Sequence, residues 1–281
     1  MNTKEKKELQ ILACKVRKGA VEGVYNAKSG HPGGSLSSAD LFTYLYFKEM
    51  HVDPKNPKDE NRDRFVLSKG HCAPGLYAAL ALKGYFPEDE LKKLRHIGAM
   101  LQGHPDMKGT PGVDMSSGSL GQGISAACGM AVAGKMDKKD YRVYTLLGDG
   151  ETEEGQVWEA AMFAAHKELD NLCVIVDANG LQIDGSVAEV GGPEPIDEKF
   201  RSFGFDVCTI DGHDFDAIEA ALNHAKTVKG KPSAIIAKTV KGKGVSFMEN
   251  QVGWHGKAPD DAQYAAAMQE LNTALSGLEA E

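Results

Sequence analysis

The chain has 281 residues, enough for one large α/β domain or two smaller ones with a substantial core. Hydrophobic residues make up 42% and charged residues 26%, a composition typical of folded soluble proteins and unlike that of disordered or fibrous chains. The 32 Lys and Arg against 40 Asp and Glu give a net charge of −8, and no basic block could follow a phosphate backbone, which argues against nucleic acid as a partner.

Membrane attachment and disulfide scaffolding are also disfavoured. No apolar segment follows the Lys-rich start, and the longest nearly apolar stretch, 124–134, is too short to span a membrane. The five cysteines stand singly, without a Cys-x-x-Cys pair, which argues against both a disulfide framework and a cysteine metal site. We therefore expect a cytoplasmic protein with no membrane partner.

Helices and strands are predicted to alternate along the chain. Apolar residues at steps of three and four predict a helix over 4–28, closed by Gly30, and a second helix over 38–50. Short apolar runs rich in β-branched or aromatic residues predict strands at 64–67, 141–147, 172–176, 205–210 and 233–240. Further segments of helical period predict helices at 73–82, 124–135, 156–169, 215–228 and 261–278.

This alternation is typical of an α/β fold with a doubly wound, mostly parallel sheet and helices on both faces. We expect residues 1–281 to form one such domain. Ligands of these sheets bind outside the carboxyl ends of the strands. Three long loops rich in Gly, His and Pro are therefore candidates for function, and they are predicted at 96–123, 178–195 and 241–260.

Polar motifs follow two successive predicted strands. The triplet Gly-Asp-Gly at 148–150 ends one strand, and Asn179 follows the next. Carboxyl ends of parallel strands meet at one edge of the sheet, so a carboxylate and an amide arrive there side by side. Mg²⁺ is commonly held by one or two such side chains together with ligand phosphates, and a backbone carbonyl such as that of Leu181 would add a third oxygen.

The helix predicted to begin near Glu154 aims its free N–H groups at the same place, which suits a diphosphate. The alternative interpretation is a tight Asp-Gly turn with an unrelated Asn in a loop. The pairing on two successive strands favours the cation site.

The Gly-Asp-Gly triplet followed by Asn179 resembles the motif of the thiamine-diphosphate enzymes. Further stretches narrow the resemblance to transketolase, and they occur in transketolase order over roughly residues 10–260. These stretches are Ser29 to Ser35, Ser68 to His71, Gly103 to Asp106, Ser117 to Gly123 and Gly253 to Gly256.

The resemblance implies thiamine diphosphate as cofactor, with Mg²⁺, for which Ca²⁺ or Mn²⁺ can substitute. The implied metal ligands are Asp149, Asn179 and the carbonyl oxygen of Leu181. The implied cofactor-binding residues are His71, Gly118, Leu120, Gly148, Asp149, Gly150, Glu154, Glu159, Asn179 and His255. Of these, Glu154 and Glu159 match glutamates that lie at the subunit interface near the cofactor.

The resemblance also implies that His31, His104 and His255 are catalytic, because they match the histidines around the reacting carbon. Imidazole suits the transfer of protons at hydroxyl and carbonyl oxygens near neutral pH. Any one of them alone would more often be a structural or surface histidine. Zinc is the other histidine-rich option, disfavoured because the sequence has no His-Glu-x-x-His motif and no ligand pair at metal spacing. The other histidines receive no role: His51, His96, His166, His213 and His224.

Thiamine chemistry also needs a carboxylate that protonates the pyrimidine ring of the cofactor. In the family this group lies in a second, pyrimidine-binding domain, which the sequence does not resemble anywhere. The resemblance therefore implies the N-terminal subunit of a split transketolase, which works with a C-terminal subunit in a heterotetramer with two copies of each. Its reaction would move a glycolaldehyde unit from a ketose phosphate to an aldose phosphate in the pentose phosphate pathway. Two alternatives stay open: a subunit of another thiamine-diphosphate ketol or acyl transferase, and a non-catalytic cofactor-binding protein.

Overall fold

The computed structural model describes residues 1–280, and within them one parallel sheet of five strands forms the centre of the fold. The strands are β1 (Arg64–Leu67), β2 (Val143–Gly148), β3 (Leu172–Ala178), β6 (Asp206–Asp211) and β7 (Ser233–Lys238). Their order across the sheet is β1-β2-β3-β7-β6, with every neighbouring pair parallel. The predicted parallel α/β sheet is confirmed, and each predicted strand is found within a few residues of its predicted ends.

The central strands are apolar on both sides because helices cover both faces of the sheet. In β3, Cys173 and Ile175 pack into one core, while Val174 and Val176 pack into the other. A nearly continuous apolar run rich in β-branched residues, as in β3, is typical of a strand that is covered on both faces. The prediction of a doubly wound sheet is thereby confirmed.

The helices divide between these two faces. One face carries α1 (Thr3–Ala27), α3 (Ala39–Tyr44), α4 (Ala73–Lys83) and α9 (Phe215–Thr227). The other face carries α5 (Gln122–Met136), α6 (Gly155–His166) and α8 (Ile196–Ser202). From β3 the chain passes through α8 to β6 at the edge of the sheet, and it then returns through α9 to β7, which lies between them. The two crossovers run in opposite directions across the sheet, so right-handed connections require α8 and α9 to lie on opposite faces.

The helix predicted over 38–50 is found as a continuous helical segment over 39–49, in which α3 passes into a π-helical turn at Leu45–Glu49. A separate short helix, α2 (Pro32–Ser37), precedes it. The loop predicted over 178–195 contains a small hairpin of β4 (Leu181–Gln182) and β5 (Gly185–Ser186), followed by the short helix α7 (Val187–Val190). The prediction of a structureless loop over 178–195 was therefore wrong, because pairing between residues close together in the chain gives it local structure.

The last helix, α10 (Asp261–Ala280), anchors the loop that follows β7. It packs on α1, and Val245, Met248 and Trp254 of the loop fill the space between them. This packing brings the ends of the loop, at Lys241 and His255, to the carboxyl edge of the sheet.

Candidate functional site

A cavity of about 270 Å³ opens at the carboxyl ends of β1, β2 and β3. Most of the residues predicted for the site line it. These are His31, His71, Gly118, Leu120, Gly148, Asp149, Gly150, Asn179, Leu181 and His255. Residues separated by more than 220 positions in the chain therefore meet in one place.

Three predicted site residues lie outside the cavity lining. His104 is at its rim, with its ring centroid 6.3 Å from that of His31, and faces a second depression that also contains Gly118. Glu154 and Glu159 are exposed at the N-terminal end and on the outer face of α6.

Asp149 and Asn179 meet as their strand positions predict. The Oδ2 atom of Asp149 accepts a hydrogen bond of 2.6 Å from the backbone N–H of Gly180, and its Oδ1 atom accepts one of 2.8 Å from Gly150. Asn179 donates from Nδ2 to Asp177, which leaves its Oδ1 atom facing the amide of Leu181 at 3.2 Å. A carboxylate, an amide oxygen and a backbone carbonyl thus face one cavity.

This donor set fits a hard cation that shares its ligands with a phosphate. Burial and the nearby Asp177 raise the pKa of Asp149 to about 6. Burial and Asp177 therefore disfavour the ionised form of Asp149, and a bound cation would stabilise that form. Within residues 1–280 there is no group of three or more His, Cys, Asp or Glu side chains placed to hold a metal by themselves.

A buried ion pair that the sequence analysis missed lies at the floor of the cavity. Lys69 and Asp177 are 1% and 0% exposed, and the ammonium of Lys69 binds both Asp177 and the carbonyl oxygen of Gly34. Burial alone would lower the pKa of Lys69, but Asp177 keeps it above its ordinary value, so the charge is retained. The pair could have been suspected from the sequence, because each of these charged residues stands at the carboxyl end of an apolar strand.

Lys241 is the second buried cation that was missed. Its ammonium donates a hydrogen bond of 2.8 Å to the carbonyl oxygen of Leu181 and one of 2.9 Å to Nδ1 of His255. Since Nδ1 accepts this bond, neutral His255 carries its proton on Nε2. Lys69 and Lys241 together supply positive charge where a diphosphate would lie.

Glu151, which follows the Gly-Asp-Gly motif directly, also lines the cavity. This carboxylate is 3% exposed and accepts hydrogen bonds from the hydroxyl of Ser68 and from the backbone N–H groups of Gly121 and Gly148. It ties the loop before α5 to the ends of β1 and β2.

Close approach of the backbone is needed at Gly34. A Cβ atom there would lie 2.5 Å from the sulfur of Cys72, in van der Waals overlap. Only glycine lets α2 pass this close to the cavity floor.

Four histidines cluster above the floor. The ring of His31 lies 5.2 Å from that of His71 and 5.6 Å from that of His255, with His104 slightly farther away. Within residues 1–280 the buried Nδ1 atom of His31 has no hydrogen-bond partner. An orphaned polar atom in a cavity marks a place for a ligand atom.

The surroundings hold these histidines neutral. Burial, followed by the charge of Arg95, lowers the pKa of His31 to about 4, and burial with Lys241 lowers that of His255 to about 3. Burial and Lys69 lower the pKa of His71 well below its ordinary value. The cluster therefore presents uncharged imidazoles near pH 7, able to accept or donate a hydrogen bond.

In residues 1–280 no helix is both long enough and apolar enough to cross a membrane.

Comparison with known proteins gives consistent matches. A family model described as the transketolase thiamine diphosphate binding domain matches residues 9–275. A 6-deoxy-6-sulfo-D-fructose transketolase subunit from a Clostridium species is 49% identical over 94% of this chain and 96% of its own length. One of the subunits of an apulose-4-phosphate transketolase from Phocaeicola vulgatus is 43% identical over 97% of both chains.

Longer relatives match with one part of their length. A rat transketolase is 42% identical over 90% of this chain, which covers 41% of that protein. The crystal structure of Campylobacter jejuni transketolase superposes with a TM-score of 0.89 at 33% identity, covering 99% of this chain and 46% of the other. The Leishmania mexicana enzyme superposes with a TM-score of 0.84.

Proposed function

The chain belongs to the transketolase family, in which it matches the thiamine diphosphate binding domain, and we propose that it is the cofactor-binding subunit of a two-subunit ketol transferase. The observation that carries this proposal is the meeting, in one cavity, of the Asp149 and Asn179 oxygens with buried cations and a cluster of neutral histidines. Relatives matched along nearly their whole length are themselves named as transketolase subunits.

In this proposal Asp149, Asn179 and the carbonyl oxygen of Leu181 hold Mg²⁺, or Ca²⁺ or Mn²⁺ in its place. The ammonium of Lys241, which lies 2.8 Å from the same carbonyl oxygen, would add positive charge beside the diphosphate. When bound, the cofactor supplies a ring carbon that can carry negative charge. The residues proposed to lie along the cofactor are His71, Gly118, Leu120, Gly148, Gly150 and His255.

His31, His104 and His255 are proposed to hold and move protons at hydroxyl and carbonyl oxygens of the sugar. The low pKa of His31 leaves its imidazole neutral at pH 7, with an unpartnered Nδ1 atom that can contact a substrate oxygen. His255 is also neutral at this pH, but its Nδ1 atom already accepts from Lys241, so it can donate a hydrogen bond from Nε2. His104 at the rim is placed to contact a substrate that enters from outside.

The second half of the site is proposed to come from a C-terminal subunit. Of the described residues, Asp149 and Glu151 are the carboxylates that line the cavity, and both are engaged by backbone N–H groups of this chain. Neither is free for a pyrimidine ring. Leu120 and Ile183 are 37% and 61% exposed at the cavity mouth, an apolar rim that suits a covering protein.

We assign Glu154 and Glu159, on the outer side of α6, to the same contact between subunits. The complete enzyme is proposed to contain two copies of each subunit.

The proposed reaction transfers a glycolaldehyde unit from a ketose phosphate to an aldose phosphate. Two relatives are named for 6-deoxy-6-sulfofructose and for apulose 4-phosphate, so these two sugars are donors to test beside xylulose 5-phosphate. The test is a donor screen of the assembled enzyme with xylulose 5-phosphate, 6-deoxy-6-sulfofructose and apulose 4-phosphate, each with ribose 5-phosphate or glyceraldehyde 3-phosphate as acceptor. Transfer from at least one donor is expected. No transfer from any donor, with cofactor bound, contradicts the proposed activity.

Replacing His31 or His104 with glutamine should lower kcat by about 100-fold or more, because proton transfer by a positioned side chain commonly contributes that much. Cofactor affinity should stay within about threefold, since neither side chain contacts the proposed metal ligands. The measurements are steady-state kinetics and calorimetric titration of the assembled enzyme. His166→Gln, at the exposed end of α6, is the matched control. A loss of cofactor affinity as large as the loss of kcat would give these histidines a structural role instead.

A further inference from the structure

His213 received no role from the sequence, yet the structure places it in a buried polar chain. Its Nδ1 atom lies 2.7 Å from a carboxylate oxygen of Asp40, on α3. Its Nε2 atom lies 2.9 Å from the backbone nitrogen of Val240, just after β7. The side chains of His213 and Asp40 are 15% and 6% exposed, so water competes little for these bonds.

The two contacts define the protonation of His213. A backbone N–H can only donate, so Nε2 must accept from Val240 and carries no proton. The proton of the neutral ring therefore sits on Nδ1 and is donated to Asp40. Arg17 pairs with the same carboxylate oxygen. Burial alone would raise the pKa of Asp40, but Arg17 and His213 bring it below its ordinary value, so the acceptor stays ionised.

Val240 is the residue before Lys241, whose ammonium enters the cavity. The backbone around Lys241 is held from both sides: Thr239 donates to the carbonyl of Ala178, and Gly242 donates to that of Gly33. Between these two backbone contacts, the bond from Val240 is made to a side chain. His213 therefore sets the position of the peptide that leads into Lys241.

We propose that His213 is a positioning residue for Lys241, with Asp40 orienting the imidazole so that it accepts from Val240 and aims the lysine at the diphosphate site. This inference rests on the proposed cofactor site. The proposal gives the two bonds of His213 different roles. The bond from Val240 positions Lys241 and so affects cofactor affinity directly, whereas the bond to Asp40 affects it only by orienting the imidazole.

Two substitutions separate these bonds. In His213→Gln the amide oxygen takes roughly the place of Nε2 and can still accept from Val240. In His213→Asn the shorter amide takes roughly the place of Nδ1, so it keeps Asp40 and loses Val240. His224 makes a similar bond, from Nε2 to Asp206 at 2.7 Å, on the exposed side of α9. His224→Asn is therefore the matched control.

Titration of thiamine diphosphate with Mg²⁺ into the assembled enzyme should show about tenfold weaker binding for His213→Asn, the effect of one lost hydrogen bond. His213→Gln should lie within about threefold of the unmodified protein, and His224→Asn should be unchanged. Equal affinities for the two His213 variants, or weaker binding by His213→Gln, would overturn the proposal.

Hydrogen exchange of the chain without added cofactor gives a second readout. The amides of segment 239–242 should exchange faster in His213→Asn than in His213→Gln, while the melting temperatures of the two variants stay similar. Unchanged exchange in both variants contradicts the positioning role. If the unmodified assembled enzyme binds no cofactor at all, the proposed function is wrong. The hydrogen-exchange rates of segment 239–242 would then still test whether His213 positions the backbone at Val240.

Discussion

Replacing Asp149 with alanine is expected to weaken the Mg²⁺-dependent binding of thiamine diphosphate by at least about 100-fold. Loss of a residue that merely supports a metal ligand already costs 10- to 100-fold in affinity, and Asp149 is proposed as a ligand itself. The fold should survive, since a carboxylate whose pKa is raised by burial does not stabilise the ionised protein at neutral pH. Calorimetric titration and thermal unfolding of the same sample measure both quantities.

The pH dependence of binding gives an independent check on Asp149. With its pKa raised to about 6, the proton competes with the cation below that pH, so affinity should fall by up to about tenfold for each pH unit below 6. Asp149→Asn should lose this dependence, because the amide does not titrate. Asp184→Asn, on the exposed tip of the neighbouring hairpin, is the matched control. Full affinity in either Asp149 variant would remove Asp149 from the metal site.

The chain by itself should transfer no ketol unit, and addition of the C-terminal subunit should restore activity and tighten cofactor binding together. The carboxylates that line the cavity are already held by N–H groups of this chain, so the pyrimidine half of the cofactor lacks its partner. Two events that organise one interface are coupled, and the coupling acts equally in both directions. The assay is xylulose 5-phosphate with ribose 5-phosphate, followed through glyceraldehyde 3-phosphate.

Three samples complete this experiment: the chain alone, the partner alone and the two combined. A complex that contains Asp149→Ala should assemble but stay inactive, which separates assembly from cofactor binding. Full turnover by the chain alone would contradict the two-subunit proposal. Activity on mixing without any gain in cofactor affinity would show that the partner does not share the cofactor site.

The parallel sheet could be predicted because the local patterns of this sequence agree with one another. The strand at 64–67 was predicted with its observed ends, and β3 is apolar on both sides, as a strand covered by helices must be. The pairing of Asp149 with Asn179 also followed from the sequence. Each ends one of two successive strands, and parallel strands bring such ends together.

The helix α2 and the π-helical turn over Leu45–Glu49 could not be predicted from periodicity. Residues 32–49 are almost entirely buried and form three short helical segments. Buried apolar residues on all sides give no amphipathic signal, so the direction of each segment is set by what packs against it.

The sequence by itself determined the order of strands and helices and which loops carry the polar motifs, because these depend on residues close together in the chain. Only the tertiary structure decided which charges meet. Lys69 pairs with Asp177 across 108 positions, Lys241 reaches the carbonyl of Leu181 across 60, and His213 reaches Asp40 across 173. A buried charge or imidazole must find a partner, yet nothing near it in the sequence identifies that partner. Crossing connections of the sheet bring the two residues together.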